Sequence, residues 1–132
     1  MEKEIIEGNK LIAEFMKFPS NKHLENWVDV PNEYISIYGK HFGIGFNCKF
    51  HKSWDWLMPV VEKIESIKIP QVAYGFEFSI KGKRCITLSK ITGEDVVVIG
   101  FHNYDKKYFY TKLEATWLAV VEFIKWYNKC QK

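Results

Sequence analysis

The sequence predicts an α+β domain in which an antiparallel sheet, made of an N-terminal hairpin and a three-stranded meander, is packed with three helices. Apolar residues recur at helical spacing in three segments, whereas the segments between them alternate between apolar and polar residues with the period of a strand. The chain of 132 residues has no internal repeat and no linker rich in proline or serine. A single domain over residues 1–132 is therefore expected.

The composition limits the classes of function. Aromatic residues make up 17% of the chain, and this excess indicates a large core, an interface or a stacking surface. The net charge is only +3, and Arg84 is the one arginine among 19 basic residues, which disfavours sequence-specific DNA readout. Three dispersed cysteines, a polar N-terminus and the lack of about 18 consecutive apolar residues predict a cytoplasmic protein that does not enter a membrane.

The first helix is expected over residues 3–17, where apolar side chains recur at helical spacing, and Pro19 ends it. From residue 26 to residue 50 the period changes to two. The clearest case is FGIGFNCKF (42–50), whose even positions are apolar, and YISIY (34–38) is its expected partner strand. These two strands would form the N-terminal hairpin.

The second helix is expected over residues 53–67. At about 100° per residue, Trp54 and Trp56 fall on the two shoulders of its apolar stripe, while Asp55 points away from the stripe. Ser53 as the cap and Asp55 as a negative charge in the first turn are typical of a helix start and need no chemistry. A tryptophan on each shoulder would then anchor the helix to the core.

Three further strands are expected to form the meander. Residues 72–80 and 84–89 both place their apolar side chains at even positions, and a third strand, VVVI, is apolar on both faces. The apolar faces of these two strands coincide only if the residue numbers of directly opposite residues add up to an even number. This register predicts a three-residue loop containing Gly82 and places Phe76 near Ile86.

The last helix has the clearest start, because Thr111 and Glu114 form a capping box before an apolar run. Besides the stripe that faces the core, this helix has a second apolar side with Ala115, Ala119 and Trp126. Such a side predicts a contact beyond the sheet. Either the N-terminal helix covers it, or it forms a homodimer with Trp126 as the anchor.

The chain contains no group of metal ligands or catalytic residues that identifies a reaction. Cys48 and His51 fall on opposite faces of a regular strand and lack a second pair of ligands, so neither a metal site nor a cofactor is expected. Nucleophilic catalysis would need Ser53, His51 and Asp55 to come together, and Ser53 is already explained as a helix cap. No catalytic residue is assigned, and a small enzyme using His51 and Asp55 stays open as an alternative.

Lysines with interleaved aromatic residues could bind single-stranded nucleic acid. Basic residues cluster in two predicted loops, and aromatic residues adjoin those of the second loop. The candidates are Lys81, Lys83, Arg84, Lys106 and Lys107. Lysines in loops are usually only solvated, so nucleic-acid binding is the weaker alternative.

Three segments resemble a group of small uncharacterised proteins encoded by bacteria and their phages. They are NKLIAEFM (9–16), SWDWLMPVVEKIE (53–65) and VVEFIKWYN (120–128). The resemblance implies an origin in a phage or another mobile element. It assigns no activity and no functional residues to this chain.

The sequence thus predicts a small, aromatic-rich module that binds a ligand or a partner without catalysing a reaction. The candidate contact residues are His51, Trp54, Asp55, Trp56 and Trp126. The partner would be another protein, or a second copy of the chain bound through the C-terminal helix. Single-stranded nucleic-acid binding and a small enzyme are the two alternatives.

Overall fold

The computed structural model has the predicted α+β class and describes residues 2–67, 76–81, 85–90, 95–99 and 111–130. Its α-helices are α1 (Glu2–Phe15), α2 (Ile35–Tyr38), α3 (Trp54–Ser66) and α4 (Lys112–Cys130). Its strands are β1 (Trp27–Asp29), β2 (His41–Gly43), β3 (Phe76–Lys81), β4 (Cys85–Lys90) and β5 (Asp95–Ile99). No helix among the described residues is long and apolar enough to cross a membrane.

β1 and β2 form a two-stranded antiparallel sheet in which Val28 lies opposite Phe42. Both side chains are buried, so this small sheet lays one face on the core. The pairing of β1 with β2 takes the place of the predicted hairpin of residues 34–38 and 42–50. β2 stops at Gly43, and the next four residues, 44–47, form a turn instead of continuing the strand.

The segment 34–38, which was expected to be the partner strand, is helical. Tyr34 ends a 3-10 turn and Tyr38 ends α2, so the two rings are four residues apart and both contact the ring of Phe18. A five-residue segment is too short for its apolar pattern to distinguish a helix from a strand. Packing on Phe18 decides between them.

α1 ends in a Schellman motif that turns the chain back into the core. The amide of Phe18 donates to the carbonyl oxygen of Ala13 at 3.0 Å, and the amide of Lys17 donates to the carbonyl oxygen of Glu14 at 3.0 Å. Lys17 adopts the left-handed conformation that this motif requires, with a φ of 63°. The buried ring of Phe18 follows directly.

Trp56 anchors α3 in a cluster of buried aromatic rings. Its ring centroid lies 4.9 Å from that of Tyr38, 5.0 Å from that of Phe42 and 5.3 Å from that of Phe50. The Tyr38 hydroxyl also donates to the Trp56 carbonyl oxygen at 2.7 Å. Trp54 makes no ring contact with the described residues and is 36% exposed, against 9% for Trp56. The expectation that both tryptophans anchor the helix is wrong, because Trp54 begins α3 outside the aromatic cluster.

The two predicted helix starts differ in their caps. The Glu114 amide donates to Thr111 Oγ1 at 3.0 Å, and the Thr111 amide donates to Glu114 Oε1 at 3.2 Å, which confirms the capping box of α4. Ser53 occupies the N-cap position of α3, as predicted, but its hydroxyl makes no capping hydrogen bond. Its carbonyl oxygen accepts from the Leu57 amide at 3.0 Å and starts the helix.

The second apolar side of α4 is buried within the chain. Ala115 and Ala119 are fully buried, and α1 lies next to α4. A Cβ atom on Gly8 would lie 2.5 Å from the indole of Trp117, so glycine is needed for this close approach. Trp126 is partly buried against the core. Both alanines are therefore buried within one chain, and a homodimer with Trp126 as the anchor stays a prediction.

β3, β4 and β5 pair antiparallel in that order. Phe78 lies opposite Leu88, so the even-sum register is confirmed, while the predicted loop containing Gly82 lies outside the described residues. The expected proximity of Phe76 and Ile86 is wrong, because Phe76 lies opposite Lys90 and Ile86 lies opposite Ile80. The side chains of these strands lie outside the described residues, and a meander packed on the helices stays a prediction.

Trp56→Ala should lower the free energy of unfolding by about 3–5 kcal/mol, because it empties the centre of the aromatic cluster. Trp54→Ala removes a more exposed ring and should cost clearly less. Urea unfolding of both variants, followed by circular dichroism, measures the two losses. Equal losses would contradict the assignment of Trp56 as the anchor.

Candidate functional site

His51, a predicted site residue, lies half-buried in the turn before α3, where a hydrogen bond connects it to Asn9 and a ring contact to Trp117. Asn9 in α1 is only 1% exposed. Its carboxamide oxygen Oδ1 accepts from the indole Nε1 of Trp117 at 2.9 Å, and its Nδ2 lies 3.0 Å from Nδ1 of His51. The rings of His51 and Trp117 also meet edge to face, 6.4 Å apart.

The donors and acceptors of this network permit one arrangement. An indole nitrogen can only donate, so the carboxamide oxygen of Asn9 faces Trp117 and the NH₂ group faces His51. The imidazole of His51 must then accept at Nδ1. It is therefore neutral, with its proton on Nε2.

This tautomer determines what His51 can do chemically. Burial lowers the pKa of His51, and the charge of Lys52 lowers it further. Nε2 can donate a hydrogen bond, but it has no free lone pair, so His51 is not a general base while the network is intact. Asp55 is exposed, and no hydrogen bond or ion pair joins it to His51 in the described part of the chain.

Cys48, two residues before the buried Phe50, is an ordinary buried thiol. Burial raises the pKa of Cys48 to about 12, against smaller opposing effects of the Phe50 backbone and the charge of Lys52. The thiolate that attacks electrophiles or binds metals is therefore not formed near neutral pH. Within residues 2–67 and 111–130, no three His, Cys, Asp or Glu side chains are grouped in a way that could hold a metal ion.

A second group of side chains, the aromatic patch, consists of Trp27, His41 and Phe46 and lies at the surface of the β1–β2 pair. Phe46 is 81% exposed, which is far outside the usual range for phenylalanine. Its ring stacks on the indole of Trp27, with 6.2 Å between the centroids and 30° between the planes. The ring of His41 lies 5.6 Å from the same indole. Trp27 therefore joins the three rings into one surface.

Gly43 allows the indole of Trp27 to lie close against β2. The two residues are directly opposite each other in the strand pair. A Cβ atom on Gly43 would lie 2.8 Å from Cε2 of Trp27, closer than two carbon atoms can approach. Any larger residue at this position would lift the indole away from the strand.

The turn that carries Phe46 is closed by several hydrogen bonds. The amides of Phe46 and Asn47 both donate to the carbonyl oxygen of Gly43, at 3.2 and 3.3 Å. The side-chain oxygen of Asn47 accepts from the Gly43 amide at 2.8 Å, and the Ile44 amide donates to the carbonyl oxygen of Asn26 at 2.8 Å. These hydrogen bonds hold the backbone of the turn at Phe46, and the ring of Phe46 is exposed.

Both aliphatic side chains and a polar group adjoin the aromatic patch. Ile6 of α1 lies beside the turn, with its Cδ1 atom 3.5 Å from a Cβ built on Gly45, and Leu24 is exposed in the loop before β1. The indole N–H of Trp27 has no acceptor among the described residues.

The other predicted contact residues lie in different parts of the structure. Trp56 is inside the aromatic core, Trp126 packs partly against the core, and Trp54 and Asp55 lie on the exposed side of the first turn of α3. The predicted nucleic-acid contacts lie outside the described side chains; they are Lys81, Lys83, Arg84, Lys106 and Lys107.

Sequence reasoning missed the aromatic patch, because it placed Phe46 on the buried face of a long strand. The signal that could have found it is the run Gly43-Ile44-Gly45-Phe46-Asn47, since two glycines and an asparagine favour a turn. No family model, curated protein or solved structure matches the chain. The resemblance to bacterial and phage proteins stays a prediction.

The hydrogen bonds of His51 should make the stability of the protein depend on pH. The pKa of His51 is lowered in the folded state, so the unfolded chain binds this proton first as the pH falls. The stabilisation is complete above about pH 6.5, the ordinary value for histidine, and is lost as the pH falls through the folded pKa. Urea unfolding of the wild type and of His51→Gln, from about pH 8 to about pH 5, isolates this contribution.

The stability of the wild type should fall relative to that of His51→Gln as the pH falls, because glutamine can accept from Asn9 but does not titrate. His23→Gln, in an exposed loop, is the matched control and should follow the wild type at every pH. Parallel curves for the wild type and His51→Gln would contradict the neutral hydrogen-bonded imidazole.

Proposed function

We propose that this chain is a small non-enzymatic binding module whose contact surface is the aromatic patch. The observation that carries the proposal is the stack of Phe46 on Trp27, in which a ring 81% exposed is held outward by a closed turn. Exposed apolar surface of this kind is typical of interaction sites. Covering an aromatic side chain contributes about 1.5–3 kcal/mol, which gives a ligand a substantial reason to bind here.

Preorganisation supports the same proposal. The hydrogen bonds of Gly43 and Asn47 already hold the turn in place, and Trp27 lies close against Gly43. A ligand therefore meets a turn whose backbone was ordered during folding. The aromatic patch can bind without a conformational change in this part of the chain.

The chemistry of the reactive groups favours binding over catalysis. His51 is engaged at Nδ1 by Asn9 and carries its proton on Nε2, and Cys48 is a buried, protonated thiol. Asp55 makes no hydrogen bond among the described residues. His51 is engaged by Asn9, Cys48 is protonated, and no contact joins Asp55 to His51 among the described residues, so the alternative of a small enzyme using His51 and Asp55 has less support than a binding module.

The proposed module is one domain over residues 1–132 in which β3–β5 form an antiparallel meander. The pairing of Phe78 with Leu88 supports this arrangement. The free thiol of Cys48 supports a cytoplasmic setting, where thiols stay reduced. An origin in a phage or another mobile element would fit the resemblance of the three helical segments.

The indole N–H signal of Trp27 should report ligand binding in nuclear magnetic resonance spectra, because this group lies in the contact surface and has no acceptor among the described residues. Trp27→Phe assigns the signal. The protein is titrated separately with a single-stranded oligonucleotide, a soluble oligosaccharide and a peptide mixture, and is also diluted to detect self-association. At least one of the three titrations or the dilution should change the chemical shift of the Trp27 indole N–H.

The Trp117 indole N–H is an internal control, since it is buried and donates to Asn9 and should stay in place. Gly43→Ala displaces the Trp27 indole and should weaken the response. A Trp27 signal that none of the four changes moves would overturn the proposed function.

A further inference from the structure

We infer that the exposed side of α3 is a second contact surface, which binds a basic amphipathic helix of a partner protein. This surface, the α3 face, consists of Trp54, Asp55, Met58 and Glu62. Trp54 is 36% exposed and Met58 is 38% exposed, and both carboxylates are exposed as well. The α3 face belongs to a different element from the aromatic patch, so the inference does not depend on the proposed function.

Helical spacing places the four side chains of the α3 face next to one another. Residues three or four apart are neighbours on the surface of a helix. Met58 is four residues from Trp54 and from Glu62 and three residues from Asp55, so it lies at the centre of the α3 face. At 1.5 Å per residue, the two carboxylates lie about 10 Å apart along the helix axis.

The carboxylates of the α3 face lack a positively charged partner. Neither Asp55 nor Glu62 makes a hydrogen bond or an ion pair among the described residues. Lys63 is the one lysine of α3, and its ammonium lies over the ring of Phe15, 5.7 Å from the centroid. At about 100° per residue, Lys63 is half a turn around the helix from the first residue of the α3 face.

Two other charged residues adjoin the α3 face without changing its sign. Glu65 lies on the same side of α3 and already has an interaction partner. Lys52 is exposed just before α3 and forms no ion pair with Asp55 within the described part of the chain. The α3 face itself therefore has two negative charges and no positive one, although the whole chain has a net charge of +3.

The pattern of the α3 face defines the chemistry of its partner. Charged groups across an interface are complementary in sign, so lysine or arginine side chains are expected opposite Asp55 and Glu62. On a partner helix, basic residues seven positions apart match the separation of about 10 Å between these carboxylates. An apolar side chain between them would cover Met58 and the indole of Trp54. Tryptophan and methionine are both enriched where proteins contact each other.

Three other occupants fit the α3 face less well. In a symmetric contact with a second copy, the carboxylates of one α3 face would approach those of the other, and like charges oppose such a contact. Nucleic acid and anionic lipid surfaces are repelled for the same reason. A neutral apolar segment would cover Trp54 and Met58 but remove water from the carboxylates without replacing it by a partner.

The experiment titrates the full-length protein with a peptide of about 14 residues, the lysine peptide, made of lysine and of leucine at helical spacing. Nuclear magnetic resonance follows the indole N–H of Trp54, which Trp54→Phe assigns. The lysine peptide should change the chemical shift of this signal, and binding should weaken between about 50 mM and about 200 mM NaCl, because salt screens exposed charges. The glutamate peptide, with glutamate in place of each lysine, is the control and should not bind.

Asp55→Asn combined with Glu62→Gln removes both charges of the α3 face and should weaken binding of the lysine peptide by about 2- to 30-fold, the range for two exposed ion pairs. Glu4→Gln combined with Glu14→Gln is the matched control. It removes the same charge from exposed positions of α1 and should leave binding unchanged. Circular dichroism confirms that each protein is folded.

Met58→Lys places a positive charge at the centre of the α3 face and should weaken binding at least as much as the loss of both carboxylates. Met58 is exposed, so this substitution does not disturb the core. If the protein with Asp55→Asn and Glu62→Gln failed to fold, loss of binding by Met58→Lys would support the inference, and unchanged binding would overturn it.

Three further results would overturn the inference: a stationary Trp54 signal with the lysine peptide, equal affinity for the lysine and glutamate peptides, or equal weakening in the two double variants. A lysine peptide that shifts the Trp27 signal and leaves the Trp54 signal in place would overturn the inference and support the proposed function. A shift of the Trp54 signal without a shift of the Trp27 signal would support the inference, and the proposed function would then be decided by its own titrations.

Discussion

The side-chain amide of Asn9 joins three segments that are far apart in the sequence. It connects α1 to Trp117 in α4 and to His51 in the turn before α3. Since all three groups lie at least partly inside the protein, breaking one hydrogen bond would leave a polar atom without a partner, at a cost of about 1–3 kcal/mol. The orientation of the amide follows from the indole, which can only donate, and the protonation of His51 follows from the amide.

The position of α1 has consequences beyond this network. Gly8, next to Asn9, allows the helix to approach the Trp117 indole, and Ile6 on the same helix lies beside Gly45 in the turn that exposes Phe46. α1 therefore carries both Asn9 and a side chain that lies beside the turn of the aromatic patch. A change that moves α1 would be expected to alter both the core and the contact surface.

The aromatic excess divides into two groups with different roles. The rings around Trp56 are buried and hold α3 against the core, while the rings of Trp27, His41 and Phe46 meet at the surface. The buried group contributes to stability through area and edge-to-face contacts. The surface group contributes little to folding at Phe46, so its ring can be replaced to test binding with little loss of the fold.

The sequence by itself determined the α+β class, the long helices and the even register of β3 and β4, because caps, helical periodicity and strand alternation are local signals. It also identified His51 as a residue of interest. Only the tertiary structure decided that residues 34–38 are helical and that Phe46 faces outward, since short apolar runs fit either period until they pack. The partners of Asn9 lie 42 and 108 residues away, and no local pattern encodes contacts at such separations.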